Sequence, residues 1–178
     1  MSAIRPPVTE AILPDVLDTG LAVVFCGTAA GTRSARDGAY YAHPGNMFWR
    51  TLFAVGLTPR LLAPAEFPLV HGFGIGLTDL SKHHFGNDDE LPGDAFDAGS
   101  LRAKMAHFQP RMLAFTSKHA GRAALGPKAG YGLQQISWGA TRLFVLPSPS
   151  GQARRSWNPA IWQDLARIVS IHSPGTDR

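Results

Sequence analysis

The chain has almost no cysteine. Cys26 stands alone among 178 residues, so no internal disulfide can form, and a reducing compartment fits. Charge is also sparse. Charged residues make up 17% of the chain and apolar residues 44%, a balance that excludes disorder and suits one compact domain with a sizeable core. No run approaches the roughly 18 apolar residues of a membrane span. The start lacks a basic stretch followed by an apolar one, so no signal peptide is expected. Metal-ligand spacing is missing too, since His83-His84 is only a neighbouring pair. No metal and no cofactor is expected.

Acids are nearly absent from the second half. From position 98 onward eleven Lys and Arg face two acids, Asp164 and Asp177. Residues 88–97, "DDELPGDAFD", hold five of the thirteen acids and no base. The net charge of +4 is thus unevenly spread. A basic half suggests a polyanionic partner, nucleic acid first, with a solvated surface as the alternative. The acidic stretch reads as solvated surface that would repel phosphates.

What is present is an alternation of strands and helices. "LAVVFC" (21–26) is a short apolar, β-branched run ending at Gly27 and reads as a buried strand. Phe48, Trp49, Leu52 and Phe53 fall at helical spacing, and Gly56 can end that helix. "FGIGLTDL" (73–80) is a second strand. Leu101, Met105 and Phe108 mark a helix before Pro110. "RMLAFT" (111–116) is a third strand, with Ser117 able to cap a short helix. "TRLFVLP" (141–147) is a fourth, and Asn158-Pro159 opens a last helix. Residues 1–20, with three prolines, read as a partly ordered arm, 21–173 as one domain and 174–178 as a tail. The pattern predicts a three-layer α/β/α sandwich around a mostly parallel sheet. In such a sheet ligands bind outside the carboxyl ends of the strands. The loops after Cys26, Leu77, Thr116 and Leu146 should therefore converge.

Two of these loops carry chemistry. "GTAAG" (27–31) is a glycine-rich turn without the lysine of a P-loop or the G-x-G-x-x-G spacing of a dinucleotide fold. "LPSPSGQARRSW" (146–157) offers small residues, hydroxyls and two arginines, suited to close approach and to phosphate. An ordinary strand-to-helix connection has the same composition.

Taken together, "VVFCGTAAG", "YYAHPGNMFW" and "VLPSPSGQAR" resemble the mismatch-specific uracil-DNA glycosylases, bacterial relatives of thymine-DNA glycosylase. The family pattern is a strand, Gly-Ile-Asn-Pro-Gly, Ala-His-Pro-x-Asn-x-Phe-Trp and finally Asn-Pro-Ser-Gly. "AHPGNMFW" matches the middle element at every fixed position, and the resemblance spans about Leu21 to Val169. It implies a base-excision enzyme that extrudes uracil from mismatched double-stranded DNA and hydrolyses its glycosidic bond, since that bond is inaccessible inside the stack. It further implies a monomer acting in the cytoplasm on the nucleoid.

Carried over by position, the resemblance puts Thr28, Ala29, Ser34, Tyr41 and Ser148 at the base pocket. Tyr41 would stack on the extruded base. Ser150, Gly151, Gln152, Arg154 and Arg155 form the expected DNA-binding loop, with Gln152 filling the gap left by the base. His43 and Asn46 are expected to hold the loop and cap the following helix. Ser148 replaces the asparagine that opens the last motif.

One departure matters most. The family's catalytic asparagine is Ala29 here, and the proline after it is Ala30. A methyl group cannot orient water, so another residue must supply that function or the protein only binds DNA. Uracil departure leaves a cation-like sugar, which a carboxylate can stabilise while it activates water. Asp79, at the carboxyl end of the second predicted strand, is the candidate catalytic residue. Lys82 nearby leaves a lyase step open.

Overall fold

A computed structural model describes residues 10–171. A five-stranded sheet forms its centre, built from β1 (Val23–Gly27), β2 (Ile75–Asp79), β3 (Met112–Phe115), β4 (Gly132–Trp138) and β5 (Thr141–Val145), in the order β2-β1-β3-β5-β4. All pairings are parallel except β4 with β5. Five α-helices accompany it: α1 (Thr32–Asp37), α2 (Phe48–Ala54), α3 (Ala98–Phe108), α4 (Lys118–Leu125) and α5 (Pro159–Ile171). The expected α/β/α sandwich is present.

The layers follow from the alternation of side chains along each strand. Val23 and Phe25 of β1 point into a core completed by Phe48 and Leu52 of α2 and Trp162 and Leu165 of α5. Val24 and Cys26 point into the opposite core, with Leu101 and Met105 of α3 and Ala120 of α4. Covered on both faces, β1 is buried throughout, which is why its sequence is a continuous apolar run rather than an alternating one.

Several expectations are met closely. Ser117 caps α4 by accepting from the Ala120 amide at 3.0 Å, and Gly56 follows α2 in the left-handed region at φ 82°. Phe53 is a correction: it is exposed, because α2 has under two full turns and buries only the face of Phe48, Trp49 and Leu52. Helix α1 and strand β4 are the elements without an expectation. Polar α1 carries no apolar stripe, and β4 is a mostly exposed antiparallel edge strand with weak patterning.

Residues 1–9 of the expected arm and 172–178 at the other end lie outside the described residues. Of the rest of the arm, Leu13 is buried and Val16 bridges Leu77 on β2. Gly76 permits that approach: a Cβ there would lie 2.6 Å from the Val16 carbonyl oxygen.

The strand order places the site. The connection leaving β1 runs to β2 on one side of the sheet, and the connection leaving β3 runs to β4 and β5 on the other, so the β1/β3 boundary is a topological switch point. A crevice must open there, outside the carboxyl ends of both strands.

Candidate active site

At that switch point lies a cavity of about 550 Å³. Gly27 at the end of β1, with Thr28 and Ala29 after it, forms one part of its wall, and Thr116 and Lys118 after β3 another. Ser148, Ser150 and Gln152 after β5 complete it. The three loops converge as the parallel topology requires.

Two buried tryptophans fix the positions of these loops. Trp49 Nε1 donates to the Tyr40 carbonyl at 3.0 Å, and Trp162 Nε1 donates to the Pro147 carbonyl at 3.1 Å. Each bond satisfies an indole that would otherwise be buried unpaired. Each also pins a loop immediately before a cavity residue, Tyr41 and Ser148. The loops are joined directly as well. Met47 donates its amide to the Pro149 carbonyl at 2.8 Å, and a Cβ on Gly151 would approach the Gly45 carbonyl to 3.1 Å. His43 Nδ1 accepts from the Gly45 amide, and Asn46 Oδ1 accepts from the Phe48 amide at the start of α2. Both therefore hold the loop and helix start, as the sequence suggests.

Tyr41 has an unusual backbone. Its φ of 51° lies in the left-handed region, which bulky residues rarely adopt. Its ring is stacked on Phe48, with centroids 3.9 Å apart and 22° between planes. Its hydroxyl pairs with Thr116 Oγ1 at 3.1 Å. The strained backbone thus holds an aromatic ring rigidly in the cavity wall.

Asp79 ends β2, directly beside Gly27 in the parallel register. It is 6% exposed. Among the described residues none donates a hydrogen bond to its carboxylate. Burial pushes its pKa up to about 7, against the pull of Lys82. The carboxylate does not form the cavity wall itself; it lies behind Gly27. At the position a Gly27 Cβ would take, Asp79 Oδ1 is 2.8 Å away, and Thr116 Oγ1 and Tyr41 Oη are each 3.5 Å away. Three oxygens therefore crowd the position that a side chain on residue 27 would take, and only the absence of that side chain lets the Asp79 carboxylate lie so close behind the cavity wall. On its other side Asp79 borders a second cavity, about 230 Å³, together with Lys82 and Lys104.

The remaining expected residues divide by place. Thr28, Ala29, Tyr41 and Ser148 all line the large cavity. Ser34 does not; it is buried, and its hydroxyl accepts from the Ala42 amide at 3.1 Å, bracing the segment that carries Tyr41. Ser34 instead borders an adjoining groove of about 340 Å³ with Ser150, Gly151 and Gln152. Arg154 and Arg155 line neither space. They are exposed on the turn before α5 and form no ion pair among the described residues.

Sequence reasoning missed three features. Thr116 sits at the carboxyl end of β3, where the parallel-sheet rule could have found it. The acidic stretch is not only solvated surface: Asp88 accepts from Thr28 Oγ1 at 2.6 Å, and Asp89 joins it at the cavity. The Ala30–Phe85 bridge and the bond from the Gly86 amide to the Ala30 carbonyl bring that stretch back over "GTAAG". Opposite, Lys118 lies over the ring of Tyr131 at 4.2 Å, and both line the cavity. Lys82 is committed. Its ammonium pairs with Asp15 Oδ1 at 2.7 Å and donates to Tyr40 Oη at 3.1 Å.

Residues 14–166 match the model of the uracil DNA glycosylase superfamily. The fold is similar to the solution structure of a putative uracil DNA glycosylase from Methanosarcina acetivorans, with 24% identity and a TM-score of 0.59 over 90% of this chain and 98% of that one. No helix among the described residues is long and apolar enough to cross a membrane. The chain belongs to the uracil DNA glycosylase superfamily.

Proposed function

We propose that this superfamily member is a monofunctional DNA glycosylase of the mismatch-specific type. It extrudes uracil from a mismatch in double-stranded DNA and hydrolyses the glycosidic bond, with Asp79 in place of the asparagine that Ala29 lacks. One observation carries the reading: a buried carboxylate without a hydrogen-bond donor among the described residues lies directly behind Gly27 of the large cavity, 2.8 Å from where a Cβ on that residue would stand.

The chemistry follows from that geometry. The extruded base enters the cavity, flanked by the ring of Tyr41. The C1′–N1 bond breaks, and uracil leaves with the electron pair. Ionised Asp79 is poorly solvated, so its charge acts strongly on the cation forming at C1′. A water held between Asp79, Thr116 and Tyr41 attacks C1′ and passes a proton to the Asp79 carboxylate. Backbone amides of the Thr28–Gly31 turn are available to the departing anion.

The absence of a lyase step is supported by Lys82. Its ammonium is engaged with Asp15 and Tyr40, so it offers no free amine for attack on the sugar. Gln152 and Ser150 border both cavity and groove; in this reading Gln152 fills the vacated stack and Ser150 contacts phosphate. The protein acts as a cytoplasmic monomer on nucleoid DNA, without a cofactor.

Ala29 supports a second reading, a binding protein that recognises mismatches without cutting. Incubation with uracil-containing duplex in the presence of chelator separates the two. The enzyme reading expects abasic sites and free uracil. Tight binding with no abasic product would replace it with the sensor.

A further inference from the structure

The N-terminal segment, β2 and α3 meet in a cluster outside the large cavity. Asp15 accepts from Lys82 through Oδ1 and from Lys104 through Oδ2, each at 2.7 Å. Thr78 Oγ1 adds a third bond to Oδ1 at 2.7 Å. Lys82 continues the chain to Tyr40 Oη, which donates to the Pro14 carbonyl at 3.0 Å. The side chain of Lys82 is only 12% exposed. Two lysines share one carboxylate, so the cluster carries one positive charge in excess. Lys82 and Lys104 also border the smaller cavity into which Asp79 faces.

We propose that Lys82, anchored by Asp15 and reinforced by Lys104, is a positioning residue for Asp79, and that this cluster sets the protonation midpoint of the Asp79 carboxylate. The inference rests on the reading of Asp79 as the catalytic group.

Other groups around Asp79 contribute little charge. Cys26 of β1 and Tyr40 and Tyr41 before α2 are held protonated, their pKa values raised first by burial. His83, His84, Asp94 and Asp97 border the smaller cavity but are exposed, and solvent and salt screen their fields. Asp97 is also engaged in capping α3. The partly buried charges left are Lys82, Lys104 and Asp15. Burial opposes the charge on Asp15, yet bonds from Lys104 and Lys82 hold its pKa below the ordinary value. Asp15 therefore stays ionised through the range in which Asp79, near 7, titrates.

An isolated buried carboxylate would be protonated across the neutral range and could accept no proton from water. The excess cation pulls the Asp79 midpoint back toward neutrality. Asp15 limits that pull, because it neutralises one lysine and repels Asp79. The two halves of the cluster must then act in opposite directions.

The test titrates Asp79 directly by carboxyl carbon NMR, beside the pH profile of single-turnover uracil excision. Lys82→Met should raise the Asp79 midpoint by about one pH unit or more, and Asp15→Asn should lower it. Lys82→Arg, which keeps the charge, should restore the parent midpoint. Lys104→Met, at a more exposed position, should move it upward by less and serves if Lys82→Met fails to fold. General damage to the fold would not produce opposite displacements. Unchanged midpoints, or displacements of one sign in both charge-removing variants, would overturn the inference. Opposite displacements that the rate profile does not follow would uphold the electrostatic assignment and refute catalysis by Asp79.

Discussion

Gly27 has no room for a side chain because of Asp79. An ideal Cβ on Gly27 lies 2.8 Å from Asp79 Oδ1, closer than such atoms approach in folded proteins. Gly27 also has no positive φ, so alanine is allowed by its backbone, and the obstacle is the neighbouring oxygen alone. Gly27→Ala should therefore fold but displace the carboxylate from beside Thr116 and Tyr41. Single-turnover excision should fall by at least about 10-fold, since misplacement of about 1 Å can cost 100-fold. Parent-like excision by a folded Gly27→Ala would mean that the close approach of Asp79 has no part in the chemistry.

Asp79→Ala should slow the chemical step by about 100- to 10,000-fold, the usual range for acid–base assistance, with DNA affinity nearly unchanged. Asp79→Asn separates two roles. If the side chain only orients water, asparagine keeps much of the rate. If its charge is needed, asparagine is nearly as poor as alanine, and the parent rate should rise with pH through about 7, as the carboxyl ionises. Single-turnover measurement is required, because slow product release can hide the chemical step. Excision by Asp79→Ala at the parent rate would remove this residue from the mechanism.

The same carboxylate should weaken the fold at neutral pH. Its pKa is raised from an ordinary 3.8 to about 7, so the folded state binds the proton more tightly than the unfolded chain. Below about 3.8 the group is protonated in both states and carries no penalty. The penalty grows as pH rises from there and is complete above about 7, where it reaches roughly 4 kcal/mol. Asp79→Asn removes it. Measured by urea unfolding, the stability of the variant relative to the parent should increase between pH 4 and pH 8. A constant difference across that range would show that Asp79 is not desolvated.

Arg154 and Arg155 should act on affinity rather than on chemistry. Both are exposed and unpaired among the described residues, on the turn that leads from the Ser150–Gln152 wall. Replacing both by alanine should weaken duplex binding and make it less sensitive to salt, with a slope reduced by about one per lost phosphate contact. The excision rate of bound substrate should be little changed. Binding with unaltered affinity and slope would move the DNA to another face.

Local pattern alone determined four of the five strands and their mostly parallel arrangement. β1 and β3 were readable as buried parallel strands because apolar runs bounded by turns have few other solutions. Ser117, Gly56 and Asn46 were readable because caps and helix stops act within a few residues. The place of Asp79 at a strand end beside β1 was legible for the same kind of reason, since strand ends in a parallel sheet face the ligand crevice. Tertiary structure decided the rest. Nothing local brings Asp88 to Thr28, sixty positions away, or Asp15 to Lys104, eighty-nine away. Nor does local pattern separate Ser34, which braces a segment, from Ser148, which lines the cavity. The state of Asp79 belongs to this second kind of fact. A carboxylate's charge depends on what surrounds it in three dimensions, and here those surroundings come from four segments far apart in the chain: the N-terminal arm, β1, the loop after β2, and α3.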